Sequence, residues 1–272
     1  MEILGVRIDN FEKQEILQQI EGFLNEEKFH QIATVNPEFI LRAQRDQEFR
    51  NILNRCALNV ADGVGLSYAF LRHLEYLKTR LAGADLMQEI FEIADKKKLS
   101  LFLAIHKSGL SSYVEIKRVL NEKYPNIKIG GGDIDPRKNK KLPSTVGFQV
   151  VFCNFGFPQQ EKFLNSLNKN DPPTHPNDKP ESELIKSNTS SENSEDLGLQ
   201  NKGCRGKIRL AMGVGGSFDF ITGKLSRAPK IMRLLGLEWL YRLMLEPRYR
   251  IERVLRAVIV FPLRVIINKN PN

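Results

Sequence analysis

The chain predicts an α/β protein: a core over residues 1–226 built on a mostly parallel sheet with helices on both faces, and a basic helical appendage over 227–272. Two observations carry the sheet. Short β-rich runs alternate with segments of helical periodicity, and the connections between strands are long enough to hold a helix, as a parallel crossover requires. A third carries the appendage: residues 228–268 keep a helical pattern with a large excess of positive charge.

In chain order, strand 3–8 precedes helix 12–27, and strand 30–35 enters helix 37–54. Strand 57–60 leads to helices 64–72 and 84–97, strand 100–105 to helix 109–123, and strand 126–130 to strand 147–154. Helix 158–167 follows, then strand 207–213, which runs into a glycine-rich turn. Residues 168–206 interrupt the pattern. They are rich in Asn, Ser, Pro, Asp, Glu and Lys, and their few apolar residues show no period, so a disordered insertion is expected there. Pro229 and Pro247 suit helix starts in the appendage. On a wheel of 248–266, Ile251, Val254, Leu255, Val258, Ile259, Phe261 and Val265 gather on one side, opposite Arg253, Arg256 and Arg264, with Pro262 interrupting. Such a helix either packs on the core or lies on a membrane surface; periodicity leaves both open.

The net charge is +9, and +7 of it falls from Arg227 onward, where ten basic residues face three acids. A polyanionic partner follows: nucleic acid, a phosphorylated ligand or an acidic membrane. Three widely spaced cysteines (Cys56, Cys153, Cys204) give neither a disulfide framework nor a zinc pattern, which favours a reducing compartment. Four histidines without H-x-x-x-H spacing give no metal site, and no cofactor is expected. The N-terminus lacks the basic start and apolar stretch of a signal peptide, and no apolar run reaches the roughly 18–20 residues needed to span a bilayer.

In parallel sheets ligands bind at the carboxyl ends of strands. Four segments are thereby singled out: Thr34 to Asn36, Val60 to Gly63, Cys153 to Gly156 and Met212 to Gly215. Asp62, between Ala61 and Gly63, suits a general base or a helix cap. Asn36, before Pro37, suits an N-cap or a sugar hydroxyl. Gln160, with Pro158 and Glu161, fits helix-start chemistry or the hydroxyls and base edge of a nucleotide sugar. Gly213, Gly215, Gly216 and Asp219 lie in a turn able to offer N–H groups to a phosphate, although neither G-x-G-x-x-G nor a Walker lysine is present. Arg80, ahead of Gly83 and Asp85, suits a phosphate contact or the surface. Trp239, the lone tryptophan, lies in the segment Leu237 to Arg242, and Glu246-Pro247-Arg248 follows.

Taken together, Thr34-x-Asn36, Ala61-Asp62-Gly63, Arg80-x-x-Gly83-x-Asp85, Gly156-x-Pro158-x-Gln160-Glu161, Gly213 to Phe220, Arg227-Ala228-Pro229, Leu237 to Arg242 and Glu246-Pro247-Arg248 resemble the WecG/TagA/CpsF glycosyltransferases. The order and spacing of these marks hold along nearly the whole chain outside the insertion. The resemblance implies a Rossmann-like core with a helical appendage. It also implies inverting, metal-independent transfer of N-acetylmannosamine, or a related hexosamine or uronic acid, from a UDP-sugar to polyprenyl-diphosphate-linked GlcNAc, for cell-surface polysaccharide.

By the same resemblance Asp62 is the base, and Thr34, Asn36, Arg80 and Gln160 bind substrate. Gly213, Gly215, Gly216, Asp219, Arg227, Arg242, Arg248 and Arg250 are nucleotide-binding candidates. The implied place is the cytoplasmic face of the plasma membrane, held there by an anionic surface; whether copies of the chain associate is left open. A nucleic-acid-binding α/β protein is the rival reading, but it gives no role to the motifs around Asp62 and Gln160. Three departures from the family pattern stand out: the insertion at 168–206 lengthens a usually short connection, Ile105 to Gly109 replaces a glycine-rich turn, and Asn154 occupies a place usually apolar or small.

Overall fold

The computed structural model describes residues 1–137, 144–168 and 207–267. The core opens with β1 (Glu2–Ile3), β2 (Val6–Arg7), α1 (Lys13–Asn25), β3 (His30–Val35), α2 (Pro37–Ala43), α3 (Gln47–Arg55), β4 (Leu58–Ala61), α4 (Val64–Arg72) and α5 (Gly83–Lys96). It continues through β5 (Ser100–His106), α6 (Tyr113–Lys123), β6 (Lys128–Ile134), β7 (Val150–Cys153), α7 (Gln159–Leu167), β8 (Leu210–Gly213) and α8 (Ser217–Ile221). The C-terminal segment holds α9 (Lys230–Leu234), α10 (Glu238–Leu245), α11 (Pro247–Leu255), a π-helical turn (Arg256–Val260) and α12 (Phe261–Ile267). Six strands form one all-parallel sheet in the order β4-β3-β8-β7-β5-β6, the expected α/β architecture.

Period-2 alternation sends successive residues to opposite faces. Ile32, Leu58, Val60, Leu101, Leu103, Val150, Phe152 and Met212 enter one core with Ile20 of α1, Phe91 of α5, Leu120 of α6 and Phe218 of α8. Ala33, Val35 and Ala61 point the other way, into a core with Phe39, Phe49, Phe70 and Phe261 from α2, α3, α4 and α12. Phe102, Val151 and Ala211 meet Leu164 of α7 on that same second face.

Four element readings need correction. The run 3–8 is not a strand of the main sheet but a small antiparallel hairpin, turned at Leu4 and Gly5, whose φ angles are 49° and 80°. Helix 37–54 is two helices, because the Asp46 carboxylate accepts the Phe49 N–H (3.0 Å) and starts α3 anew. Helix 109–123 begins only at Tyr113, where Ser112 and Glu115 form a capping box. Strand 126–130 starts later and runs on to Ile134 through Gly130, Gly131 and Gly132. Gly131 pairs with Leu103 of β5, and the position requires glycine because a Cβ there would stand 2.1 Å from the Leu103 carbonyl oxygen. The insertion expected at 168–206 lies, apart from Asn168, outside the described residues, as do Cys204 and His175.

The appendage starts its helices where its prolines predict: Pro229 caps α9 and Pro247 is the first residue of α11. Ahead of Pro262 the helix widens, and the Phe261 N–H reaches back to the Arg256 carbonyl. The core-packing reading of the amphipathic helix holds at two apolar positions. Phe261 and Val265 are buried in the second core, and Arg253 forks onto Glu38 of α2 (3.0 and 2.6 Å). Ile251, Leu255, Val258 and Ile259, however, remain 45–50% exposed. No described helix is long and apolar enough to cross a membrane.

Candidate active site

The four segments singled out from the sequence end four neighbouring strands, β4, β3, β8 and β7, at one edge of the sheet. Strand pairing fixes their relative heights: Thr34 lies beside Val60, and Cys153 beside Gly213. Asp62 follows β4 directly, and its N–H is held by the Val35 carbonyl (2.8 Å), so its position is set by the sheet itself. Gly63 has φ 95°, a conformation that favours glycine, and turns the chain sharply into α4.

Asp62 is half-buried, and burial pushes its carboxyl up from 3.8 to about 6. The charges of Arg242 and Arg80 and a hydrogen bond from the Gly83 backbone oppose that rise, while Glu238 adds to it. A carboxylate titrating close to neutrality is suited to accept a proton during a reaction.

Above Asp62 stands a group of arginines and acids brought together from α5, the loop before it and the appendage. Arg227 grips Asp85 with two hydrogen bonds (2.5 and 3.0 Å) and lies 3.8 Å from Glu238. Burial alone lowers the Arg227 pKa, but Asp85, Glu238 and Asp62 outweigh it and raise the pKa. Arg242 pairs with Glu238 and stacks over Phe220 at 4.8 Å. Arg80 donates to the Arg233 carbonyl (3.0 Å), and Arg233 lies 3.7 Å from Asp85. Three Nε–H donors here, of Arg227, Arg233 and Arg242, are buried and find no acceptor among the described residues; the Trp239 indole N–H is in the same condition.

The other candidates divide. Thr34 is buried below Gly83, whose missing Cβ would stand 2.9 Å from the Thr34 hydroxyl. The Asn36 side chain takes the cap role, accepting from the Glu38 and Phe39 N–H groups (3.0 and 3.1 Å). Gln160 is buried, accepts the Gly215 N–H (3.1 Å) and donates to Glu161 (2.7 Å). It therefore shapes the glycine turn from beneath, and Gly213 must lack a side chain because a Cβ would meet the Gln160 amide at 2.5 Å. Gly215 turns at φ 49°, Gly216 caps α8, and Asp219 accepts from Ser111 (2.7 Å). Arg248 is exposed on α11, and Arg250 pairs with Glu246 (2.7 Å) on the same helix.

Sequence reasoning passed over three groups as site residues. Glu238 and Arg233 sit in motifs dense with candidates, and only the folded appendage singles them out. Glu161 is a buried carboxyl, pushed by burial from 4.5 to about 7, with one oxygen lacking a partner among the described residues. Two of the departures from the family pattern, at Ile105 to Gly109 and at Asn154, form one structural unit: Asn154 accepts the His106 N–H (2.6 Å) and so braces the turn that follows β5.

The sequence profile of the glycosyl transferase WecG/TagA/CpsF family matches residues 1–174 and 193–272. The chain belongs to that family. It is a glycosyltransferase, and its relatives define the group of hexosyltransferases in which it falls. A protein of Bacillus subtilis (strain 168) is 30% identical over 228 residues, 82% of this chain and 74% of the relative. One of Staphylococcus aureus (strain MRSA252) is 27% identical over 273 residues, 97% of this chain and 91% of the relative. Both carry the name N-acetylglucosaminyldiphosphoundecaprenol N-acetyl-beta-D-mannosaminyltransferase.

Proposed function

We propose that this transferase moves N-acetylmannosamine, or a related hexosamine or its uronic acid, from UDP to polyprenyl-diphosphate-linked GlcNAc. Transfer inverts the anomeric centre and uses no metal, and it takes place at the cytoplasmic face of the membrane that holds the acceptor. The observation that carries this reading is the juxtaposition of Asp62, raised to about 6, with three buried arginine Nε–H donors that lack acceptors among the described residues. Asp62 takes the proton of the acceptor hydroxyl as it attacks the anomeric carbon. Arg227, Arg233 and Arg242 receive the charge that develops on the departing UDP. The names of the relatives supply the sugar and the lipid carrier.

The membrane part of the reading rests on exposed apolar residues. Leu255, Val258, Ile259, Leu263 and Ile267 on the C-terminal helix are 45–76% exposed, and Leu71 of the adjoining α4 is 70% exposed. With arginines interspersed, this is the composition of an interfacial helix.

UDP release tests the proposal, with a polyprenyl-diphosphate-GlcNAc analogue as acceptor and UDP-ManNAc, UDP-GlcNAc or UDP-glucose as donor. Acceptor-dependent release from UDP-ManNAc, unchanged by a chelator and yielding the inverted anomer, is expected. Preference for another donor would overturn the sugar assignment, and loss of turnover on chelation would overturn the metal-free mechanism.

A further inference from the structure

A groove of about 490 Å³ opens between α2, the start of α7 and the C-terminal helix. Its lining includes four arginines, Arg42 in the last turn of α2 and Arg45 just after that helix, with Arg256 and Arg264 from the appendage, beside Phe157 and Val260. The site around Asp62 uses none of these residues. Arg42 shares Asp46 (3.2 Å) and Arg256 pairs with Glu252, but Arg45 and Arg264 have no acidic partner among the described residues. Glu38, the sole acid in the lining, is already occupied by Arg253. Two of the four arginines thus lack a matching acid, like charges sharing a groove repel unless an anion joins them, and planar guanidinium forks match phosphate oxygens two at a time.

The surroundings specify what kind of anion. Val260, Leu263 and Ile267 on the appendage side are 40%, 51% and 76% exposed, so a phosphate held by the arginines would have apolar surface beside it for an acyl chain. We infer that this groove binds the phosphate headgroup of an anionic lipid. The groove would thereby fix the orientation in which the enzyme sits on the bilayer. The inference deepens the membrane-surface part of the proposed function and rests on it. Both halves of the groove are needed, because two of its arginines belong to the core and two to the appendage.

The test uses the full-length protein and separates the groove from the membrane reading. Dihexanoyl-phosphatidylglycerol, kept monomeric, probes the groove without a bilayer; inorganic phosphate and dihexanoyl-phosphatidylcholine are its comparisons. Vesicles of phosphatidylglycerol and phosphatidylcholine probe membrane association. Arg45→Gln and Arg264→Gln are each expected to weaken phosphatidylglycerol binding about fivefold, in the soluble and vesicle assays alike. Charge-matched Lys96→Gln with Lys123→Gln, on the opposite face of the sheet, is expected to leave soluble-lipid binding unchanged. UDP release with a water-soluble acceptor analogue should stay at the parent rate in every variant.

Parent-like lipid binding by the Arg45→Gln/Arg264→Gln double variant overturns the inference, and so does an equal loss in the lysine pair. Inorganic phosphate binding as tightly as the soluble lipid overturns the lipid assignment in favour of a free-phosphate site. Soluble-lipid binding that depends on the groove arginines, without any vesicle association, upholds the groove and removes the membrane reading instead.

Discussion

Replacing Asp62 with asparagine should move catalysis and stability in opposite directions. Burial raises the Asp62 carboxyl from 3.8 to about 6 in the folded state. The folded protein therefore binds this proton more tightly than the unfolded chain does. The resulting stability is fully present below pH 4 and is lost as pH rises through about 6. At 1.36 kcal/mol per pH unit, ionised Asp62 costs the fold on the order of 3 kcal/mol at pH 8. The amide of the Asp62→Asn variant carries no charge to desolvate, so the variant should be more stable than the parent at pH 8 by up to that amount. Near pH 4 the difference should vanish. Urea unfolding at pH 4.5, 6 and 8 measures it, and the gain in midpoint should grow across the series. Over the same range the parent's turnover should rise through about pH 6, because the base acts ionised. The variant should lose about 10²- to 10⁴-fold in UDP release. Near-parent turnover in Asp62→Asn would falsify the base assignment. A variant destabilised equally at every pH would show that Asp62 is held by its hydrogen bonds and not opposed by its burial.

Arg227→Ala removes both hydrogen bonds to Asp85 and should cost about 2 kcal/mol, read in urea unfolding, with faster proteolysis within α9 and α10. Arg227→Lys should recover little, because an ammonium group cannot fork onto a carboxylate. Phe261→Ala, at a fully buried position between α12 and the second core, should cost about 3–5 kcal/mol by the same measurement. A much smaller loss would show that the appendage is held mainly by other contacts, such as Arg253 of α11 on Glu38. Glu161→Gln should stabilise the protein at pH 8.5 relative to pH 4.5. The Glu161 carboxyl, raised from 4.5 to about 7, contributes stability below pH 4.5 that is lost as pH rises through 7. A parallel stability profile for variant and parent across this range would contradict the burial of an ionisable group there.

What the sequence showed of this protein follows a physical division between local and long-range information. The alternation of strands and helices was legible because period 2 and period 3.6 are written in adjacent residues. The strand-end rule then placed Asp62 and the glycine turn on the same edge before any contact was known. Gln160 shows where such reasoning stops. Its sequence context fits a ligand contact, yet its amide also bonds Gly215 and Glu161, partners 55 residues away and next door. Asn36 likewise had two readings, and only the direction of its side chain selects the cap. The break at Asp46 was legible in principle, since an aspartate ahead of an amphipathic run is a start signal, but continuous periodicity on both sides masked it. The partners of the appendage arginines were not legible at all. Arg227 and Asp85 are 142 residues apart and Arg253 and Glu38 are 215 apart, and nothing local encodes either pair.

Those pairings also bear on how the proposed metal-free site is assembled. Arginines gathered without acids would repel one another and hold the appendage off the core. Here Asp85 and Glu238 join Arg227, Arg233 and Arg242 within 4 Å, while each of those guanidinium groups keeps its Nε–H buried and without an acceptor among the described residues. The acids thus fix the orientation of the donors without consuming all of them. On the proposed mechanism, the negative charge of a diphosphate arriving over Asp62 would compete with Asp85 and Glu238 for these guanidinium groups. Preorganised donors of this kind need little rearrangement when charge develops on a leaving group, which is the property that makes electrostatic stabilisation effective. The same acids that hold the appendage on the core would therefore set how much of its positive charge the proposed reaction can draw on.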